Sequence, residues 1–309
     1  MGAPMAANLA RAGFAVRSFD LRGHGNRASI RDAARGADVF VTMLPDGEAV
    51  RDAVLEALPA LAAGSVVIDM SSSDPLATRA LLPSLKKNGI HLLDAPVSGA
   101  VTKAKDATLA IMVGGEKDVL ERVRPVLAAM GRDIFHVGPL GAGHAVKALN
   151  NYLGAAGTLA GFEALRIARA FALQPEPMLE AINASTGRNS TTERKIPQQV
   201  LTGAFASGFK LALMTKDIGI AAALARDLRV AAPYLRKTLQ LWRAAQKALP
   251  AGADHTEIYR FLESIRPGAT PGRGGARKTP APRRRDSRPR PARIRRSGAP
   301  ARRAAAGRT

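Results

Sequence analysis

Gly138-Pro-Leu-Gly141-Ala-Gly143-His-Ala-Val-Lys147-Ala-Leu-Asn150-Asn151 is where two textures meet in this 309-residue chain. Upstream, short apolar runs alternate with helical stretches; downstream, residues 143–171 contain no proline and are rich in Ala and Leu, which predicts one long helix with a glycine-rich lead-in. Lys147 and Asn151 stand four residues apart and project from one face of that helix. Most helical lysines are simply solvated. An Asn-Asn pair inside an Ala/Leu helix is harder to explain by stability, because the Asn amide competes with the helical backbone. An amine and an amide on one face can share a ligand oxygen.

Working back from the junction, Phe14-Ala-Val16, Val39-Phe-Val-Thr-Met-Leu44, Val66-Val-Ile-Asp69 and His91-Leu-Leu-Asp94 read as strands. Helical segments at Glu48 to Leu61 and Pro75 to Asn88 lie between them, with Gly64 and Gly89 where helices commonly end. This βαβ rhythm predicts a parallel sheet with helices on both faces. Leu109-Ala-Ile-Met-Val113 and Ile134-Phe-His-Val137 add a further strand pair. Ligands of such sheets bind beyond the carboxyl ends of the strands. That singles out the loops Leu44-Pro45, Ser71-Ser72-Ser73 and Asp94-Ala-Pro96-Val-Ser98-Gly99-Ala100, each of which also reads as an ordinary turn. In the last, Pro96 stiffens the loop, Gly99 lets backbone N–H groups approach a ligand, and the Ser98 hydroxyl can join them around a carboxylate.

Met1-Gly2-Ala-Pro4-Met5-Ala-Ala-Asn8-Leu9 reads as the second half of a glycine-rich dinucleotide loop and its helix, with the pyrophosphate at the helix N-terminus. Asp20 follows about 18 residues later, where an acidic side chain reaches the ribose hydroxyls of NAD and repels the extra phosphate of NADP. It reads equally as a turn aspartate, and Arg17 and Arg22 beside it pull the preference the other way. The expected cofactor is therefore NAD, with NADP possible.

Beyond the long helix, helical patterns continue through Met178–Asn183, Leu211–Leu228 and Ala232–Leu249 and close near Ser264. Within one of them, Lys216-Asp217 is either a surface pair or a charge entering the cleft. From Pro267 the chain is Arg, Pro, Ala and Gly: thirteen Arg and one Lys against one Asp, a net +13 that leaves +8 of the formal +21 for everything before it. So little apolar surface cannot offset the entropy of ordering, and the tail is predicted to be disordered. The organisation read from the sequence is a Rossmann-like α/β domain at 1–138, an all-helical domain at 139–266 and a basic tail at 267–309. The absence of cysteine excludes disulfides and thiolate chemistry. The five His show no metal-ligand spacing and no metal is expected; none of them, His144 included, is given a role. No apolar run approaches a membrane span and no secretory start is visible, so the reading is a cytoplasmic chain.

Taken together, these motifs resemble the β-hydroxyacid dehydrogenase family, which includes 3-hydroxyisobutyrate dehydrogenase and tartronate semialdehyde reductase. The resemblance spans residue 1 to about 265. Its anchors, in order, are Met1-Gly2-Ala-Pro4-Met5-Ala, Asp94-Ala-Pro-Val-Ser98-Gly99, Thr108-Leu-Ala-Ile-Met112-Val-Gly-Gly115, the Lys147 to Asn151 helix, and Phe209 through Lys216-Asp217. It implies an NAD(P)-dependent oxidoreductase of a small hydroxy acid or semialdehyde, with Lys147 as the catalytic residue. Ser98, Gly99, Ala100 and Asn151 would hold the substrate; Met1, Gly2, Leu44, Pro45, Ser72 and Lys216 would join Asp20 at the cofactor. Two departures stand out. The family pattern begins with a strand and two glycines ahead of the Met1-Gly2 step, which implies truncation at the N-terminus and a weakened phosphate cradle. Ala100 replaces the family's second glycine after Ser98, narrowing the substrate loop. The long apolar helices point to a homo-oligomer. The rival reading is a non-enzymatic dehydrogenase-like scaffold whose basic tail binds nucleic acid; the tail lacks aromatics for base stacking, and the presence of Ser98, Lys147 and Asn151 speaks against it.

Overall fold

Helix α1 (Gly2–Arg11) and the short α2 (Ile30–Ala34) lead to strand β1 (Val39–Thr42) in the computed structural model, which describes residues 1–266. These residues form one compact unit. The tail read as disordered, 267–309, lies outside the described residues. After β1 come α3 (Gly47–Ala57), β2 (Val66–Asp69), α4 (Pro75–Lys86) and β3 (His91–Asp94). The strands pair in parallel, with Thr42 beside Asp69 and Asp69 beside Asp94. Both helices start where side-chain oxygens of Asp46 and Asp74 accept first-turn N–H groups, and Pro75 adds its preset φ to the second start.

The parallel sheet expected from the sequence is present, and one later strand runs against it. After β3 the chain enters the two-residue β4 (Val97–Ser98) and α5 (Ala100–Lys105), then returns as β5 (Leu109–Gly114), antiparallel to both β3 and β4. Ten residues, 99–108, link β4 to β5, fewer than the dozen or so that a parallel crossover takes. Helix α6 (Lys117–Ala128) supplies one, so β6 (Gly131–Gly138) pairs in parallel with β5. A second correction concerns Phe14–Val16, which forms no strand. Its neighbourhood is satisfied locally instead: Ser18 O accepts from the N–H groups of Asn26 and Arg27, and the Asn26 side chain bridges Val16 O and Ser18 N. β1 is thereby one edge of the sheet among the described residues.

Period-two alternation sorts the sheet's apolar side chains into two cores. Val66, Ile68, Leu93 and Ile111 pack on one face with Met5 of α1 and Leu120 of α6, while Val67 and Leu92 pack on the other with Val50, Val54 and Leu85. Helix α7 (Ala142–Ala170), 29 residues and about 43 Å long, then opens the helical part. It is followed by α8 (Pro175–Asn183), a π-type segment at Thr191–Val200, α9 (Leu211–Asp227), α10 (Pro233–Ala248) and α11 (Ile258–Ser264). Trp242, Phe162, Leu165 and Ile258 are fully buried between them, and Phe162 meets Tyr259 edge to face at 5.4 Å.

Candidate active site

The last residues of the three parallel strands, Thr42, Asp69 and Asp94, lie side by side and are buried. A buried carboxylate must be paired or saturated with hydrogen bonds. Asp69 Oδ1 accepts from Thr42 Oγ1 and Ser71 N, each at 2.9 Å, and its Oδ2 accepts from Ser73 Oγ at 2.8 Å. Asp94 accepts from Gly141 N and His144 N, both at 2.7 Å, and so caps the N-terminus of α7 from another segment of the chain. This docking is close enough to demand glycine. A Cβ on Gly143 would collide with Met112 O and the Asp94 carboxylate, and one on Gly114 with Asp94 and the amides of Ala142 and Gly143.

His144, which sequence reasoning left without a role, is 1% exposed and reaches across this edge. Its Nδ1 lies 2.9 Å from Thr78 Oγ1, and its Nε2 lies 3.5 Å from Asp69 Oδ2. Thr78 Oγ1 lies 3.1 Å from Asp74 O as well, within α4. One visible signal was available: Val-Val-Ile-Asp69 and Leu-Leu-Asp94 each end a buried strand in an acid. His144 carried none, because its partners lie 66 and 75 residues away.

One turn further along α7, Lys147 is partly buried, and desolvation pushes its amine below the usual lysine range. The charge of Asp217 on α9 opposes that fall and the charge of Lys216 adds to it. Asn151 Nδ2 donates to Asp217 Oδ2 at 2.6 Å. Lys216 Nζ donates to Ser72 O at 2.7 Å and lies 3.1 Å from Asp217 Oδ1. The Lys216-Asp217 pair is thus a charge entering the cleft, with Asp217 3% exposed. Three residues singled out from sequence, Asn151, Lys216 and Ser72, are linked through Asp217 and the Lys216–Ser72 bond, and Lys147 stands one turn of α7 before Asn151.

The others gather at the same strand ends or stand apart. Leu44 N donates to Ser71 Oγ, which sets the Leu44-Pro45 loop against the Ser71–Ser73 loop. Gly2 opens α1 beside Met43, where an added Cβ would touch the Met43 side chain at 3.7 Å; the first turn of α1 has no side-chain cap. Uncapped N–H groups at a helix start beyond the strand ends fit a dinucleotide pyrophosphate. Ser98, Gly99 and Ala100 run from β4 into α5, Gly99 at φ +139° and Ala100 at φ +57°, with no hydrogen bond to the Lys147 group among the described residues. Asp20 is exposed in a turn, its Oδ1 accepting from Arg22 N at 2.7 Å. Among the described residues no cluster of His, Cys, Asp and Glu has metal-binding form.

Two family models match the chain. Residues 1–138 match the NAD binding domain of 6-phosphogluconate dehydrogenase, and residues 141–262 match NAD-binding of NADP-dependent 3-hydroxyisobutyrate dehydrogenase. The 2-(hydroxymethyl)glutarate dehydrogenase of Eubacterium barkeri is 36% identical over 279 residues, covering 86% of this chain and 92% of that protein. The chain belongs to the β-hydroxyacid dehydrogenase family. Also similar to this dehydrogenase is the NAD-dependent L-serine dehydrogenase of Pseudomonas aeruginosa, 36% identical over 85% of this chain and 95% of that one. The structure of Mycobacterium tuberculosis 3-hydroxyisobutyrate dehydrogenase with L-serine is 34% identical, with a TM-score of 0.80 over 85% of this chain and 96% of that one. This dehydrogenase is an NAD(P)-dependent oxidoreductase of a small hydroxy acid or semialdehyde, which sets the scaffold reading aside.

Proposed function

We propose that the enzyme interconverts a small β-hydroxy acid with its semialdehyde, of the 3-hydroxyisobutyrate or tartronate semialdehyde type, and that Lys147 is its proton-transfer residue. The observation that carries this reading is the placement of Lys147 one turn of α7 before Asn151, whose amide donates to the buried Asp217 carboxylate; burial lowers the lysine's pKa and the charge of Asp217 opposes the fall. A lysine lowered toward working pH suits general acid–base chemistry. In oxidation the neutral amine takes the hydroxyl proton; in reduction the ammonium returns it, and its charge steadies the developing alkoxide. Asn151, aimed by Asp217, holds the reacting oxygen, while Ser98 and the backbone at Gly99 and Ala100 hold the carboxylate. When bound, the nicotinamide supplies the hydride acceptor or donor. Met1 and Gly2 at the start of α1, Asp20 in its turn, Leu44, Pro45 and Ser72 at the strand ends, and Lys216 would contact that cofactor.

NAD is the preferred form in this reading, supported by the exposed Asp20 carboxylate. The boundaries 1–138 and 139–266 remain our division into cofactor and helical domains. A homo-oligomer is supported by Val146, Leu149, Leu153, Ile167 and Phe171, which leave apolar side chains of α7 and its end exposed. No described helix is long and apolar enough to cross a membrane; we place the enzyme in the cytoplasm, acting without nucleic acid. The test is a steady-state panel of 3-hydroxyisobutyrate, glycerate, 4-hydroxybutyrate and L-serine with NAD and NADP. The reading expects the highest kcat/KM for a β-hydroxy acid with NAD. No turnover of any β-hydroxy acid, or a higher kcat/KM with NADP, would refute the corresponding half.

A further inference from the structure

The edge of the sheet nearest Lys147 holds two buried acids and a buried imidazole that proton transfer itself does not use. His144, Asp69 and Asp94 are each 1% exposed or less. His144 Nδ1 stands 3.8 Å from Asp94 Oδ2, whose oxygen also accepts the His144 N–H, and the ring's other nitrogen faces Asp69 Oδ2 at 3.5 Å. That Nε2 has no hydrogen-bond partner among the described residues, so the carboxylate is its nearest polar neighbour. Three buried ionisable groups within 4 Å are a costly arrangement that apolar packing would replace without loss if stability were its purpose.

Geometry gives the cluster another use. Asp69 fixes Ser71 N and Ser73 Oγ on either side of Ser72, whose carbonyl receives Lys216. Asp94 fixes the first turn of α7, and Lys147 lies three residues beyond His144 on the same helix. The imidazole is the piece that spans the two.

We propose that His144 is a positioning residue for hydride transfer: by joining Asp69 to the first turn of α7, it sets Lys147 relative to the Ser71–Ser73 loop. The proposal rests on the reading of Lys147 as the proton-transfer residue. Misplacing such a group by about an ångström costs on the order of 10- to 100-fold in rate without touching the ligands themselves.

The test compares His144→Leu with His144→Gln, whose amide reaches toward Asp69, alone and in a Lys147→Ala background. The readouts are kcat, the primary isotope effect with substrate deuterated at the carbinol carbon, and NADH affinity by fluorescence, below the melting temperature of each variant. Expected for His144→Leu are NADH binding within about twofold of the parent, kcat lower by about tenfold or more, and a larger isotope effect on kcat. His144→Gln should recover part of the loss, and His144→Leu should cost little further once Lys147 is gone. A kcat for His144→Leu within twofold of the parent with an unchanged isotope effect overturns the proposal. So does an equal loss in the Lys147→Ala background, which leaves the role of Lys147 standing. Near-parental turnover of Lys147→Ala alone would instead bring down the functional reading on which the proposal rests. Should His144→Leu fail to fold, Thr78→Val removes the Nδ1 partner, with the local Thr78 bond to Asp74 O, and keeps the imidazole: a fall in kcat of about threefold supports the proposal and an unchanged kcat overturns it.

Discussion

Asn151 donates through Nδ2 to Asp217 Oδ2 at 2.6 Å, joining α7 to α9 immediately beside Lys147. The carboxylate does two things at once. It orients the amide, and its charge holds the Lys147 ammonium against the desolvation that lowers its pKa. Asp217→Asn keeps the shape and removes the charge, so the Lys147 pKa should fall further. Because oxidation needs the neutral amine, its kcat/KM should rise with pH through that pKa, and the rising limb should move to lower pH in the variant. We also expect a loss of about tenfold at the plateau from the misdirected Asn151. A pH profile of kcat/KM from 6 to about 10 checks both; a limb that does not move would mean that Asp217 and Lys147 are uncoupled.

Lys216 spans from α9 to the carbonyl of Ser72 at 2.7 Å. Lys216→Met retains the aliphatic stem but loses that bond and the cation at the strand ends. The expected outcome is a rise of about tenfold in KM for NAD with kcat within about threefold of the parent, since in the proposed function the lysine holds cofactor and does not move the proton. Steady-state kinetics with NAD varied reads this directly. An unchanged KM with a collapsed kcat would place Lys216 in the chemical step instead.

Lys195 gives a prediction about stability. Its Nζ donates to Thr158 Oγ1 at 2.6 Å, and burial pushes its pKa from 10.5 down to about 8, with Arg194 adding to the fall and Asp254 opposing it. Below pH 8 both folded and unfolded chains carry the proton, and the folded state bears the cost of the buried ammonium. Between 8 and the ordinary value only the unfolded chain binds it, so this contribution to stability rises with pH. Lys195→Met should therefore be more stable than the parent at pH 7, by on the order of 1–3 kcal/mol, with the difference shrinking toward pH 10. Urea melts at the two pH values test it; a difference independent of pH would show that packing, not charge, sets the effect.

The parallel strands β1 to β3 and the helices α3, α4, α7, α9 and α10 were legible in the sequence through their apolar pattern, helped by Asp caps at α3 and α4 and by a first-turn proline at α4 and α10. The reversal at β5 was not, because β4 is only two residues long and leaves no periodic trace. Phe14–Val16 has strand-like residues but, among the described residues, no strand to pair with, and pairing rather than propensity decides a strand. At the candidate site, residue type and spacing singled out Lys147 and Asn151, while the roles given to them and to Lys216 came from the family resemblance. Asp69, Asp94 and His144 were found only in three dimensions, since an acid at a strand end and a lone histidine gain their meaning from partners remote in sequence.

Lys147→Ala is the most direct test of the central claim. NAD affinity, measured by titration, should stay within about threefold of the parent, while turnover of the preferred hydroxy acid should fall by about 10²-fold or more, and the rising limb of the oxidation pH profile should vanish with the amine. Turnover within about tenfold of the parent, with the limb still in place, would contradict the assignment of proton transfer to Lys147.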